Sequence, residues 1–169
     1  MAQTALLVID LQQGLFNREH KIYNEDRLIE NITYLINKCR RMKITVIFIQ
    51  HTNKGFLLEN SPDWQIHSGI DVQDTDICFT KKYFSLFKEK KIVNEIENMG
   101  IKKLIITGLL THGCVKLACL DAKKLGYEVI LVEDGHSNYE RNAKEIVAKW
   151  NRNLAKQGIT VLPTAKVFC

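Results

Sequence analysis

Short apolar runs alternate along the chain with stretches in which apolar residues return at helical spacing. Residues 5–9 form a continuous apolar run, which predicts a strand buried on both faces of a parallel sheet. Asn24 is a candidate cap for a helix in which Leu28, Ile29, Ile32, Leu35, Ile36 and Cys39 recur on one side. Residues 45–50 are a second β-rich run, and 76–80 a shorter, weaker one. Residues 51–75 carry Gly55, Pro62 and Gly69 and little periodicity; so long a loop is uncommon in a compact domain and often functional. Ile92, Val93, Ile96 and Met99 predict a helix that Gly100 ends. Residues 104–107 predict a strand. Residues 113–125 predict a helix with Val115, Ala118, Ala122 and Leu125 on one side, closed by Gly126. A strand over 128–132, a helix over 143–157 and a strand over 159–162 complete the pattern.

Strands alternating with helices throughout predict an α/β fold: an open, mostly parallel sheet in three α/β/α layers, as one domain over 1–169. Ligands of such sheets bind beyond the carboxyl ends of the strands. Asp10, Gln50, His51, Lys81, Lys82, residues 108–114 and Asp134 fall there, so an acid, a base and a thiol share one small set.

Composition narrows the function classes. Of 169 residues, 46% are hydrophobic and 25% charged, the balance of a soluble globular protein. The longest apolar runs are far below the roughly 20 residues of a spanning helix. The first strand begins without the basic and apolar regions of a signal peptide. The five cysteines include no Cys-x-x-Cys pair, so a reduced, cytoplasmic setting is expected and a disulfide framework is not. The +5 charge is spread over helices among acidic residues, as on a solvated face, which argues against a nucleic-acid partner. Histidines and cysteines do not group at ligand spacing, so no metal or cofactor is expected.

Cys114 lies where a strand passes through Gly108-Leu109-Leu110-Thr111-His112-Gly113 into a helix. A helix N-terminus and its N–H groups favour a thiolate and can bind an oxyanion. Cysteine is also a common inert core residue, and position alone leaves both readings open. Cys39, Cys78 and Cys119 read as inert, and Cys169 as incidental. Asp10 closes the first strand, where it is either a general base or a turn cap. Lys81 or Lys82 would stabilise a thiolate and tune both groups. His112 ranks below Asp10 as a base, because a neighbour so close in a tight turn need not face the thiol. His51 and His67 read more readily as hydrogen-bonded residues than as ligands. Gln12, Phe16, His51, Trp64 and Tyr83 are the candidate substrate-binding residues.

These signals together resemble the isochorismatase-like cysteine hydrolases, among them nicotinamidases, N-carbamoylsarcosine amidases and isochorismatases. The resemblance covers nearly the whole chain. It rests on Leu7-Val8-Ile9-Asp10-Leu11-Gln12, Trp64-Gln65-Ile66-His67, Thr80-Lys81-Lys82-Tyr83-Phe84-Ser85-Leu86-Phe87 and Gly108-Leu109-Leu110-Thr111-His112-Gly113-Cys114-Val115, continued through Asp121-Ala122, Gly126-Tyr127 and Val132-Glu133-Asp134. It implies a catalytic set of Asp10, Lys81 and Cys114, with Lys81 chosen because the motif's lysine stands four residues before its serine. It also implies a cis Leu109–Leu110 peptide, an oxyanion hole of the Leu110 and Cys114 N–H groups, a small-molecule substrate and a homo-oligomer, dimer or tetramer. Ile49-Gln50-His51-Thr52-Asn53 lacks the Asp-x-His and further histidine of metal-dependent nicotinamidases. Thr111-His112-Gly113-Cys114 differs from their common Thr-Asp-x-Cys. The expected activity is hydrolysis of a small amide or carbamoyl compound. The alternatives are vinyl-ether cleavage of the isochorismatase type and a binding module that keeps the fold without turnover.

Overall fold

The structure, a computed structural model, describes residues 3–169. Six strands form one sheet: β1 (Gln3–Ile9), β2 (Thr45–His51), β3 (Ile77–Lys81), β4 (Ile101–Leu109), β5 (Glu128–Ser137) and β6 (Thr160–Leu162). Their order is β3-β2-β1-β4-β5-β6, and every neighbouring pair is parallel. The helices are a single turn α1 (Gln13–Phe16), then α2 (Glu25–Arg41), α3 (Lys90–Asn98), α4 (Lys116–Lys124) and α5 (Ala143–Lys156).

The continuous apolar run of β1 is explained by burial on both faces. Leu6 and Val8 pack with Leu28, Ile32, Leu35, Ile36 and Cys39 of α2. Ala5, Leu7 and Ile9 pack with Ile92 and Ile96 of α3, Ala118, Cys119 and Ala122 of α4, and Leu154 of α5. Three layers result, with α2 on one face and α3, α4 and α5 on the other. Strand order reverses between β1 and β4, and in such sheets the crevice at that reversal receives ligands. Gly108 of β4 lies there at φ +117°, and a Cβ on it would stand 2.0 Å from the Ile9 carbonyl oxygen. Only glycine lets the two central strands approach so closely.

Three local expectations are corrected. Asn24 precedes α2 but has left-handed geometry (φ 51°, ψ 41°), and its side chain makes no capping bond. The predicted helix over 113–125 is regular only over Lys116–Lys124; before it comes a wide π-type turn, Thr111–Val115. Strands β4 and β5 outrun the apolar cores that marked them. Lys103 and Glu128 are paired across β4 and β5 and ion-paired at 2.8 Å. Beyond Val132, β5 passes Glu133, Asp134 and Gly135 through a register irregularity and pairs again at His136 and Ser137.

Candidate active site

Four strand ends, those of β3, β2, β1 and β4, converge beside the reversal point. Asp10 follows β1 in a left-handed conformation (φ 49°), and its N–H donates to the Ile49 carbonyl of β2 at 2.8 Å. His51 and Lys81, the last residues of β2 and β3, are register partners, so their side chains stand together. Strand β4 ends at Leu109, the Leu109–Leu110 peptide is cis, and the wide turn carrying Cys114 follows. In this turn the Leu110 carbonyl accepts the N–H groups of Gly113 (3.0 Å) and Val115 (3.3 Å).

Lys81 joins the groups. Its Nζ is fully buried and lies 3.0 Å from Asp10 Oδ2, 3.3 Å from Cys114 Sγ, 3.3 Å from His51 Nδ1 and 3.2 Å from the Tyr83 carbonyl oxygen. An ammonium has three protons, so at least one is shared among these four neighbours. Asp10 Oδ1 is buried and, among the described residues, has no donor. That leaves a carboxylate oxygen able to take a proton.

Burial pushes the Asp10 carboxyl above the ordinary carboxylate range, against the pull of the Lys81 charge. Burial, with Asp10 adding to it, pushes the Cys114 thiol up to about 12 against the opposing effect of Lys81. Two negative charges cannot share this low-dielectric corner cheaply, so the resting arrangement is a neutral thiol beside an Asp10–Lys81 ion pair. Burial first, then Lys81, likewise lowers the His51 imidazole.

Above Asp10 and Cys114 is a cavity of about 210 Å³, walled by Leu15, Phe56, Leu57, Phe84, Leu110 and Tyr139, with His51 and Asn53 as polar members. Phe84 stacks on the His51 ring at 5.9 Å. Asn53 braces the loop that brings Phe56 and Leu57 over the site. Its Oδ1 accepts the Gly55 and Leu57 N–H groups at 2.8 and 3.2 Å, and its own N–H donates to the Leu57 carbonyl at 3.1 Å.

Of the expected binding residues, His51 and Leu110 face the cavity. Gln12 lies beneath it, fully buried: Nε2 donates to the His51 and Trp64 carbonyls, and Oε1 accepts the His51 N–H. Gln12 therefore joins the long loop to β2. Phe16 is buried against the His67 ring at 4.4 Å, and Trp64 offers its carbonyl to Gln12 and Gln50. Tyr83 is exposed and meets Lys81 through its carbonyl. Lys82 is exposed, and His112 faces Glu140 at 3.8 Å. Asn53, Phe56, Phe84 and Tyr139 are walls that sequence reasoning did not single out residue by residue, and of these only Tyr139 lies outside the segments 12–16, 51–67 and 83–87 expected to wall the pocket. Nothing periodic marks them, although Phe84 lies inside the lysine motif. Among the described residues, no three His, Cys, Asp or Glu side chains group as metal ligands.

A doubly covered parallel sheet thus gathers an acid, a lysine and a thiol at the switch point where such folds bind ligands. The isochorismatase domain model matches residues 4–166, and the chain belongs to that family of hydrolases. Isochorismatase family protein 2A of Dictyostelium discoideum is 28% identical over 166 residues, covering 98% of this chain and 80% of the relative. Nicotinamidase 3 of Arabidopsis thaliana is 26% identical over 157 residues, covering 83% and 76%. The crystal structure of an isochorismatase from Pseudomonas putida superposes with a TM-score of 0.90 at 23% identity, covering 99% of this chain and 91% of that one. The fold is shared with it.

Proposed function

We propose that this chain is a cysteine hydrolase of small amide or carbamoyl compounds, working through a thioester on Cys114. The carrying observation is Lys81, buried and within 3.0 Å of Asp10 and 3.3 Å of Cys114 at the base of the cavity. The carbonyl carbon of the substrate meets Sγ. As the S–C bond forms, the thiol proton passes to Asp10 and the carbonyl oxygen becomes an oxyanion facing the Leu110 and Cys114 N–H groups. Asp10 returns the proton to the leaving nitrogen, the C–N bond breaks and ammonia departs. Water then attacks the thioester, giving its proton to Asp10; the S–C bond breaks, and the thiolate takes that proton back as the acid leaves. Lys81 stays charged throughout and holds Asp10 and sulfur at fixed distances.

A neutral resting thiol suits this sequence, because proton transfer and attack belong to one event. The nicotinamidase relative supports an amide substrate class. The test is ammonia release from a panel of primary amides and carbamoyl compounds, with isochorismate supplied alongside. Wild-type protein is expected to turn over at least one amide. Folded Cys114→Ala and Cys114→Ser are expected to lose at least 1000-fold, on the scale of removing a nucleophile. Full turnover by Cys114→Ala, or cleavage of isochorismate alone, would overturn the reading.

A further inference from the structure

Behind the cysteine turn, on the side away from the cavity, lies a polar chain that the chemistry above does not use. Thr111, the first residue of the turn, is 1% exposed, and its Oγ1 lies 2.9 Å from Nδ1 of His136 on β5. His136 Nε2 lies 2.8 Å from Oδ1 of Asn151 on α5. Asn151 Nδ2 donates to the Glu133 carbonyl at 3.0 Å, and Asn138 Nδ2 reaches Thr111 Oγ1 at 3.5 Å. Asn138 Oδ1 in turn accepts the Glu140 N–H at 3.0 Å.

The donors and acceptors admit one direction. Asn151 donates to a carbonyl through its NH2 group, so the oxygen it presents to His136 is an acceptor, and His136 must carry its proton on Nε2. Nδ1 is then a lone pair, and the Thr111 hydroxyl must donate to it. With that proton committed, Thr111 Oγ1 is free to accept from Asn138. Every polar atom along the chain has a partner only with His136 neutral and in the Nε2–H tautomer. A proton on Nδ1 would face the hydroxyl proton and leave Thr111 without an acceptor. Burial already holds this histidine down to about 4. The Asn151 hydrogen bond and the charge of Asp134, on the same strand, oppose that shift.

We infer that His136, locked as its Nε2–H tautomer between Asn151 and Thr111, is a positioning residue that fixes the nucleophile turn and with it the Leu110 N–H. Thr111 is bonded directly to Leu110, whose carbonyl receives both Gly113 and Val115. Holding Thr111 from behind therefore holds the turn on which Cys114 and the Leu110 N–H are spaced. Displacements of about 1 Å in such a frame cost rate far more than binding. The inference rests on the cysteine-hydrolase reading above.

The test uses p-nitrophenyl acetate as an acylating probe, followed by nitrophenolate release, with melting curves for every variant. Thr111→Val keeps the shape and removes the donor; its acylation rate is expected to fall 10- to 100-fold, and Thr111→Ser to recover most of it. Asn151→Ala, at the far end of the chain, is expected to show a smaller loss in the same direction, which keeps the inference testable if Thr111→Val does not fold. Imidazole 15N shifts of the wild-type protein at neutral pH are expected to show an Nε2–H tautomer with a hydrogen-bonded Nδ1. Wild-type acylation rates in folded Thr111→Val or Asn151→Ala, or an Nδ1–H tautomer, would overturn the inference alone. A Cys114→Ala protein that releases nitrophenolate as fast as wild type would overturn the underlying reading instead.

Discussion

Lys81 and Asp10 form an ion pair whose side chains are 0% and 5% exposed, where neither charge is held cheaply without the other. Lys81→Met should cost about 3–5 kcal/mol, because it leaves a buried carboxylate uncompensated. The double variant Lys81→Met/Asp10→Asn should recover most of that loss while remaining inactive, and urea unfolding of the variants checks both. In the proposed mechanism Asp10 must be ionised to accept the thiol proton, and burial raises its pKa. Accordingly kcat/KM should fall as pH drops through a value above the ordinary 3.8, with the acid limb absent in Asp10→Asn at its residual rate. His136 supplies a stability dependence of its own. Its folded pKa of about 4 lies below the unfolded 6.5, so the unfolded chain binds the extra proton between them. Stability is full above pH 6.5 and is lost as pH falls towards 4, by on the order of 3 kcal/mol. His51 and His67 are lowered too and act in the same direction. Unfolding midpoints measured at pH 7 and pH 5 should differ accordingly, and less so in folded His136→Gln.

Among the elements, the strand ends were legible in sequence and the loops were not. Asp10 and Cys114 could be found because an apolar run stops where each strand leaves the sheet. Lys81 needed the motif's spacing, since its strand has only Ile77 and Phe79 as partly buried apolar positions. The polar chain behind the cysteine escaped notice because β5 continues through Glu133, Asp134 and Gly135, residues that imitate a loop. Phe56, Phe84 and Tyr139 come from three separate segments whose meeting depends on the tertiary structure. The Asn53 loop offers a test at this scale. Asn53→Ala removes the acceptor of two backbone N–H groups, each worth about 1 kcal/mol. It should raise KM for the preferred amide several-fold and leave kcat within about a factor of two.

Over the whole molecule, the sheet is two three-stranded halves joined along β1 and β4. Gly108 sits in that seam, and a methyl group there would collide with the Ile9 backbone. Gly108→Ala should therefore lower Tm by more than 10 °C or prevent folding, because no flexible side chain can yield to it. Circular dichroism decides between these outcomes and a wild-type melt.

Of Asp10, Lys81 and Cys114, Lys81 alone rides on an edge strand. The other two stand beside the central seam, whereas β3 is five residues long and paired only to β2. Edge segments open at less than the global unfolding free energy. The site can thus come apart while the sheet survives: in dilute urea, turnover should vanish before ellipticity does, and β3 amides should exchange with deuterium ahead of those in β1 and β4. The rigidity of the centre and the fragility of the position of Lys81 follow from one strand order.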